Sequence, residues 1–433
     1  MSAQWRSWSG ATRCRPARIV RPRTEADVAA ELSRAAAAGE TVRAVGAGHS
    51  FNRLVCTDGT LLDMSACAGV TSIDREARTV TVGGGTSLAV LNAALDRVGL
   101  ALANVGTITA QTVAGALATG NHGTGLAYGP FASLATALRL VTADGTVLDC
   151  DEHTDPELFR CARTSLGALG IVTSVTLRCV PAFRLRSEPD TRPLDDLLDG
   201  FDEWAGSADH VACSWLPWRD TASTRALHRT DEKASKGAGR RPWMSTLDEV
   251  RCGIAGLGSR LHGGAVPWLT ATLPPRGPAT SYVDTGHRVF SFPQPVRFFA
   301  LEHALPLHGV PAAVRALRGA LRRFGLYSPY SVLIRVGAAD DAPLSPAYGR
   351  ATGYVNLTVP RTARYVELLR TVEHVLREHE ARPHWGKAHT ATAEVLRPRY
   401  PEWDTFARMR GKLDPDGRFA NDYLARLLGS VDE

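Results

Sequence analysis

The chain has 433 residues, 44% of them apolar and 22% charged, with a formal net charge of +6. That length exceeds one ordinary core, so the composition describes a globular protein with two domains as the default. The basic side chains are nearly all Arg, with Lys only at Lys233, Lys236, Lys387 and Lys412, and the dense stretch Lys233–Arg241 lacks interleaved aromatics, so a nucleic-acid partner is not expected. No run reaches the ~18 apolar residues of a membrane span. Met1 to Arg23 is rich in Trp, Arg and Ser and holds no apolar signal core, so a cytoplasmic protein is expected. Eight cysteines are scattered without a C-x-x-C pair, so no metal site is expected; they read as buried small hydrophobes in a reducing compartment.

In chain order, Thr24–Ala38 reads as a helix capped by Thr24 and stopped by Gly39. It leads into the strand Thr41–Val45. Val70–Ile73 and Val80–Val82 read as a hairpin, Ser87–Val98 as an amphipathic helix ended by Gly99, and Leu138–Leu148 as a hairpin turning at Asp144-Gly145. A helix over Pro156–Leu166 and an alternating strand over Ile171–Val180 complete a strand-rich α+β unit ending near residue 182. Residues 183–290 are rich in Arg, Pro and Gly, and their strands are hard to place; Leu257–Pro278 reads as loop or linker. Strands return at Arg297–Glu302, Ser331–Val336 and Tyr354–Val359, alternating with helices at Pro311–Phe324 and Ala363–Glu380. This pattern predicts a second sheet covered on one face.

Four short runs carry residues suited to chemistry. The first is Val42-Arg43-Ala44-Val45-Gly46-Ala47-Gly48-His49-Ser50-Phe51, a strand ending in two glycines, an imidazole and a hydroxyl. Read alone, it fits a tight turn as well as a phosphate cradle, because glycine lets backbone N–H groups come close to an anion. The second, Gly115 to Gly125, sets Thr119, Asn121 and His122 among Gly115, Gly120, Gly123 and Gly125 and cannot pack as a core element. It is neither a G-x-G-x-x-G turn nor a P-loop, and two such cradles point to a large phosphate-bearing cofactor lying across the domain. The third, Pro383-His384-Trp385-Gly386-Lys387-Ala388-His389, places a scarce lysine between two histidines. Lys387 is either a solvated loop lysine or a cation that stabilises developing negative charge. Arg335, on the apolar strand Ser331–Val336, shares a face with Leu333 and is either a salt-bridged core residue or a site residue. The fourth, Arg418-Phe419-Ala420-Asn421-Asp422-Tyr423, is polar near a chain end and docks onto another part of the molecule.

Taken in this order, GAGHSF, ATGNHGTG, HWGKAH and RFANDY resemble the aldonolactone and alditol oxidases of the vanillyl-alcohol-oxidase flavoprotein superfamily. That group includes the L-gulono-1,4-lactone and D-arabinono-1,4-lactone oxidoreductases. The resemblance implies an α+β fold: an FAD-binding domain of the PCMH type, built of two subdomains, over residues 1–182; a cap or substrate domain over 183–380, with an antiparallel sheet flanked by helices; and a segment 381–433 returning to the FAD domain. It implies FAD, bonded covalently through His49. Arg43, Gly46, Ala47, Gly48, Ser50 and Phe51 would surround its pyrophosphate. Gly115, Thr119, Gly120, Asn121, His122, Gly123, Lys387 and Asn421 would line it, and Ile171 and Val172 would meet the adenine end. The implied chemistry is hydride transfer from a substrate C–H to flavin N5, with loss of the hydroxyl proton. Lys387 and Arg335 would supply positive charge, His389 would accept a proton, and Thr112 would approach the substrate.

Substrate would meet Leu333, Arg335, Asn356, Thr358 and Lys387. Relatives usually carry Glu-x-Arg where this chain has Leu333-Ile334-Arg335. A leucine cannot accept a hydrogen bond from a polyol or lactone hydroxyl, a loss of about 1–3 kcal/mol. The expected partner is therefore an alcohol or sugar-derived small molecule shifted away from simple aldonolactones, with oxygen or an electron carrier as acceptor. The alternatives are a dehydrogenase, a specialised-metabolite flavin oxidase or desaturase on the same scaffold, and a flavin-binding protein without enzymatic activity.

Overall fold

The computed structural model describes residues 4–236, 266–267, 280–291, 294, 296–359 and 365–429. The expected linker Leu257–Pro278, apart from 266–267, and residues 237–241 of the basic stretch lie outside them. In the first part of the chain, Thr24 accepts the Asp27 N–H at 3.1 Å while Asp27 accepts the Thr24 N–H at 3.0 Å. This reciprocal cap starts the helix Glu25–Ala37, which buries Val28, Leu32 and Ala35. Val42–Val45 follows and lies parallel to Thr60–Asp63, with Arg18–Val20 on that strand's other side. A second sheet runs in the order Val147–Asp151, Ala135–Val141, Ile171–Arg178, Thr79–Gly83, Val70–Asp74, with every pair antiparallel. Both hairpins expected from the sequence are in it. The helix expected to reach Leu166 stops at Ala162. Leu166 adopts φ 56°, and its carbonyl accepts Arg43 Nη2 at 2.6 Å, a long-range bond that local helix signals cannot announce.

The middle region supplies half of an eight-stranded sheet. Its order is Tyr282–Thr285, Arg184–Pro193, Thr221–Thr230, His210–Trp215, Val332–Gly337, Thr352–Val359, Phe299–Pro306, Arg382–Pro383. Arg184–Pro193 was hard to read because only its first half alternates in burial; the rest is mostly exposed. Val332, Ile334, Val336, Val355, Leu357, Leu301 and Leu305 form one face, packed on the helices Val310–Arg323 and Tyr365–Arg377. The opposite face carries Leu333, Arg335, Tyr354, Asn356 and Glu302. Their register is direct: Leu333 pairs Asn356, which pairs Glu302, and Arg335 pairs Tyr354.

The C-terminal segment begins as the edge strand Arg382–Pro383 and then leaves the large sheet. Trp403, Phe406, Leu424 and Leu427 join the core under the five-stranded sheet, and Phe419 joins the one around Val28 and Leu32. Among the described residues no helix is long and apolar enough to cross a membrane.

Candidate active site

Three of the four runs meet at Gly386. A Cβ there would lie 3.4 Å from Ser50 Oγ and 3.3 Å from Thr119 Cβ. The Phe51 N–H donates to the Gly386 carbonyl at 2.8 Å, and Asn52 Nδ2 donates to the carbonyls of Trp385 and Lys387 at 2.6 and 3.0 Å. Gly46 is as confined: a Cβ would fall 2.1 Å from Thr112 Oγ1, so only glycine lets the first cradle approach Thr112. Thr112 itself caps the helix Val113–Ala118, its hydroxyl accepting the Gly115 N–H at 3.3 Å, and Thr119 Oγ1 returns to the Gly115 carbonyl. Gly48 and Gly120, at φ 64° and 68°, hold left-handed turns, while Ala47 is exposed. The His49 ring stacks on Trp8 at 4.9 Å, and burial pushes its pKa down to about 4, so the imidazole is neutral at pH 7.

Beyond Asn121 the second run crosses to the large sheet. The Gly125 N–H donates to the Val336 carbonyl at 2.8 Å, and Thr124 Oγ1 donates to the Val211 carbonyl. His122 is buried against Tyr354, ring centroids 3.5 Å apart and nearly parallel. Its Nε2 meets Glu302 Oε1 at 2.9 Å, and Lys387 Nζ donates to Glu302 Oε2 at 2.9 Å. Arg335 donates to Thr107 Oγ1 and feels the same carboxylate. Burial lowers the pKa of both Lys387 and Arg335, and Glu302 partly offsets this. Burial works against ionising Glu302, but Lys387, then His122 and His384, overcome it and hold the carboxyl well below its usual range. His122, Glu302 and His384 bring ligand atoms within 4.8 Å of one another. The Lys387 ammonium already sits on that carboxylate, so the group is a charge cluster rather than a cation cage.

Several expected site residues make firm contacts within the protein. Arg43 spends its guanidinium on the carbonyls of Leu54, Gly167, Phe419 and Leu166, at 2.6–3.0 Å. Asn421 Nδ2 takes the carbonyls of Arg53, Leu54 and Cys56, while its Oδ1 caps the last helix. Both tie the tail to the segment after His49 rather than facing a cradle. Phe51 stacks on Phe298 in the core of the large sheet. Ile171 is buried with Val28, and the Val172 carbonyl would lie 2.3 Å from a Cβ at Gly84. His389 meets Tyr423 Oη at 3.2 Å, and burial pushes its pKa down to about 3. The structure does not bring His389 to the Glu302 carboxylate that holds Lys387; it pins the C-terminal helix instead.

Residues 175–427 match the D-arabinono-1,4-lactone oxidase family, and residues 16–151 match the FAD binding domain family. The L-gulono-1,4-lactone dehydrogenase of Mycobacterium tuberculosis is 38% identical over 99% of this chain and all of its own length. Alditol oxidase of a Streptomyces species is 33% identical over 99% of this chain and all of its own, and mouse L-gulonolactone oxidase 30% over 98% of each. The chain belongs to this family of FAD-dependent oxidoreductases. Its fold is also that of cholesterol oxidase from B. sterolicum, with a TM-score of 0.81 over 99% of this chain and 97% of that one, at 19% identity.

The residues present fit the family's cofactor. His49 Nδ1 and Asn121 Oδ1 are buried side-chain atoms without a hydrogen-bond partner among the described residues, one in each glycine run. Family motifs did not draw attention to Glu302. Its signal was available: one carboxylate, beside His303, in the mostly apolar strand Phe299–Pro306, an anomaly like the one that singled out Arg335. Trp8, Tyr354 and Asn52 carried no comparable signal, since the contacts that bring them to the site are with partners distant in sequence.

Proposed function

We propose that this oxidoreductase removes hydrogen from a CH–OH group of a sugar-derived or polyhydroxylated substrate. When bound, FAD supplies the hydride acceptor, its N5. The observation that carries this reading is the pairing of Lys387 and Arg335, two partly buried cations of which one bonds the Glu302 carboxylate and the other feels its charge. Placed there, they stabilise negative charge gained during the reaction without reorganisation. Thr112 and Gly46 set the approach of the first cradle, and Leu333, Asn356 and Thr358 give the substrate face. His49 is the covalent tether in this reading, its neutral ring and unpartnered Nδ1 being suited to bond formation.

The substrate is shifted from simple aldonolactones. Glu302 lies in the same row as Leu333 across Asn356, but both its oxygens are engaged, by His122 and Lys387. It does not replace the hydroxyl acceptor missing at Leu333. The test is anaerobic bleaching of the bound flavin by L-gulono-1,4-lactone, D-arabinono-1,4-lactone and xylitol, compared with glycosylated and less polar secondary alcohols. Bleaching by none of them sinks the oxidation itself, and rapid bleaching by the free lactones sinks the shift. For the tether, flavin should stay with acid-precipitated protein and its mass should map to the peptide containing His49; free release refutes it.

Electron transfer to a carrier is the second reading of the acceptor. The dehydrogenase among the relatives favours it. So does Gln111, held beside Thr112 by a 2.5 Å bond from Asn121 Nδ2, where it can shield the site from oxygen. Peroxide yield compared with dye reduction separates the two.

A further inference from the structure

The reading above uses Glu302 only as the carboxylate beside two cations, yet its bonding also fixes where a proton must be. His122 Nδ1 lies 2.9 Å from the Gly123 carbonyl oxygen. A carbonyl carries no hydrogen, so Nδ1 does. In a neutral ring Nε2 would then present a lone pair to Glu302 Oε1, 2.9 Å away. An ionised carboxylate would present another, and two facing lone pairs repel. One hydrogen therefore lies between these atoms. His384 does not supply it. Its Nδ1 accepts the Gly386 N–H at 3.0 Å, which leaves its hydrogen on Nε2, 3.9 Å from Glu302 Oε1 and beyond hydrogen-bond reach. Lys387 already occupies Glu302 Oε2. The flat stack of His122 on Tyr354 adds a ring face that favours a cation.

We propose that His122 and Glu302 share a proton resting on the imidazole, and that this pair is the positioning unit for Lys387, leaving the three groups with a single net positive charge. The proposal rests on the site described under the proposed function, and it makes Glu302 a positioning residue rather than a catalytic one. A bare carboxylate would cancel the Lys387 charge. The shared proton offsets the carboxylate instead, so Glu302 can hold Lys387 in place without silencing it.

E302Q separates these cases. Glutamine can donate its amide to His122 Nε2 and accept from Lys387 through its oxygen, so each bond keeps a partner while the carboxylate charge and the proton leave together. The experiment uses the flavin-loaded protein with 15N-labelled histidine, the His122 signal being assigned by its loss in H122N. In the wild type both ring nitrogens of His122 should read as protonated at pH 7; in E302Q only Nδ1 should. The flavin midpoint potential should then stay near the wild-type value in E302Q while falling in K387M. An unprotonated Nε2 in the wild type overturns the proposal, as does a potential that rises in E302Q by as much as it falls in K387M. The wild-type spectrum decides even where E302Q does not fold. It needs no substrate, so failure of lactones and alcohols to bleach the flavin would count against the proposed function and leave the shared proton standing.

Discussion

The two faces of the eight-stranded sheet use the same strands for opposite ends. On the helix-covered face, Leu301, Leu305, Ile334, Val336, Val355 and Leu357 are each 3% exposed or less and meet only apolar neighbours in one core. On the other face Glu302 and Asn356 are buried and Arg335 half-buried, and all three carry charge or amide groups. Burial of an apolar side chain is favourable wherever it happens. Burial of an ion is tolerated only where fixed partners replace water. The first face therefore needs shape alone, whereas the second needs partners brought in from Thr107, His122 and Lys387. A face that spends stability on pre-set charge is what a reacting group requires, and it is why the two faces should fail in different ways.

Leu301→Ala should show the largest effect. It opens a cavity on the helix-covered face and should cost about 2–5 kcal/mol of unfolding free energy, read by urea denaturation, while the folded fraction keeps its flavin spectrum. Lys387→Met should do the reverse. Some stability should go with the partner of Glu302 Oε2, but the main effect should fall on flavin bleaching by an active substrate, whose rate should drop roughly 10²–10³-fold, the usual cost of removing one fixed charge-stabilising donor. If Leu301→Ala slows bleaching as strongly as it destabilises, or Lys387→Met leaves bleaching intact, the division of labour between the faces is wrong.

Leu333→Glu sharpens the comparison by adding a second carboxylate to the polar face. Glu302 has both oxygens occupied, so a new acceptor at 333 would be free for a substrate hydroxyl. Recovery of about 1–3 kcal/mol is expected, seen as a rise in kcat/KM for L-gulono-1,4-lactone or xylitol. An unchanged or lower value for every polyol would show that Leu333 does not face the substrate.

How far each region could be read from sequence follows the same line. The capped helix at Thr24, the hairpin at Asp144-Gly145 and the strands near Ser331–Val336 and Tyr354–Val359 rest on local signals and are found where they were expected, while the strand expected over Arg297–Glu302 runs over Phe299–Pro306. The glycine runs and the Lys387 segment were also legible, since glycines flanked by polar groups have few structural uses. Arg43 and Asn421 show what a motif leaves open: it records that a polar group is near, not where it points. Both turn to backbone carbonyls from segments far away in sequence, Phe419 for Arg43 and Leu54 for Asn421. The partner of Glu302 stayed hidden for a related reason: His122 lies 180 residues earlier, in a loop brought to the large sheet by the Gly125–Val336 bond.

The smallest expected effect concerns His389, which belongs to neither face. Burial pushes its pKa down to about 3, against 6.5 for an ordinary histidine. Below pH 6.5 the unfolded chain takes up this proton and the folded one does not, so stability must fall with falling pH. The contribution is fully present above pH 6.5 and is lost at about 1.4 kcal/mol per pH unit as pH drops towards 3. His389→Gln should keep the neutral contact with Tyr423 and flatten the stability profile between pH 6 and pH 4 by roughly that slope. The rate of flavin bleaching at pH 7 should be unaffected. If His389→Gln instead abolishes bleaching while leaving the pH profile of unfolding unchanged, the histidine acts on substrate, and the Tyr423 contact is not its main role.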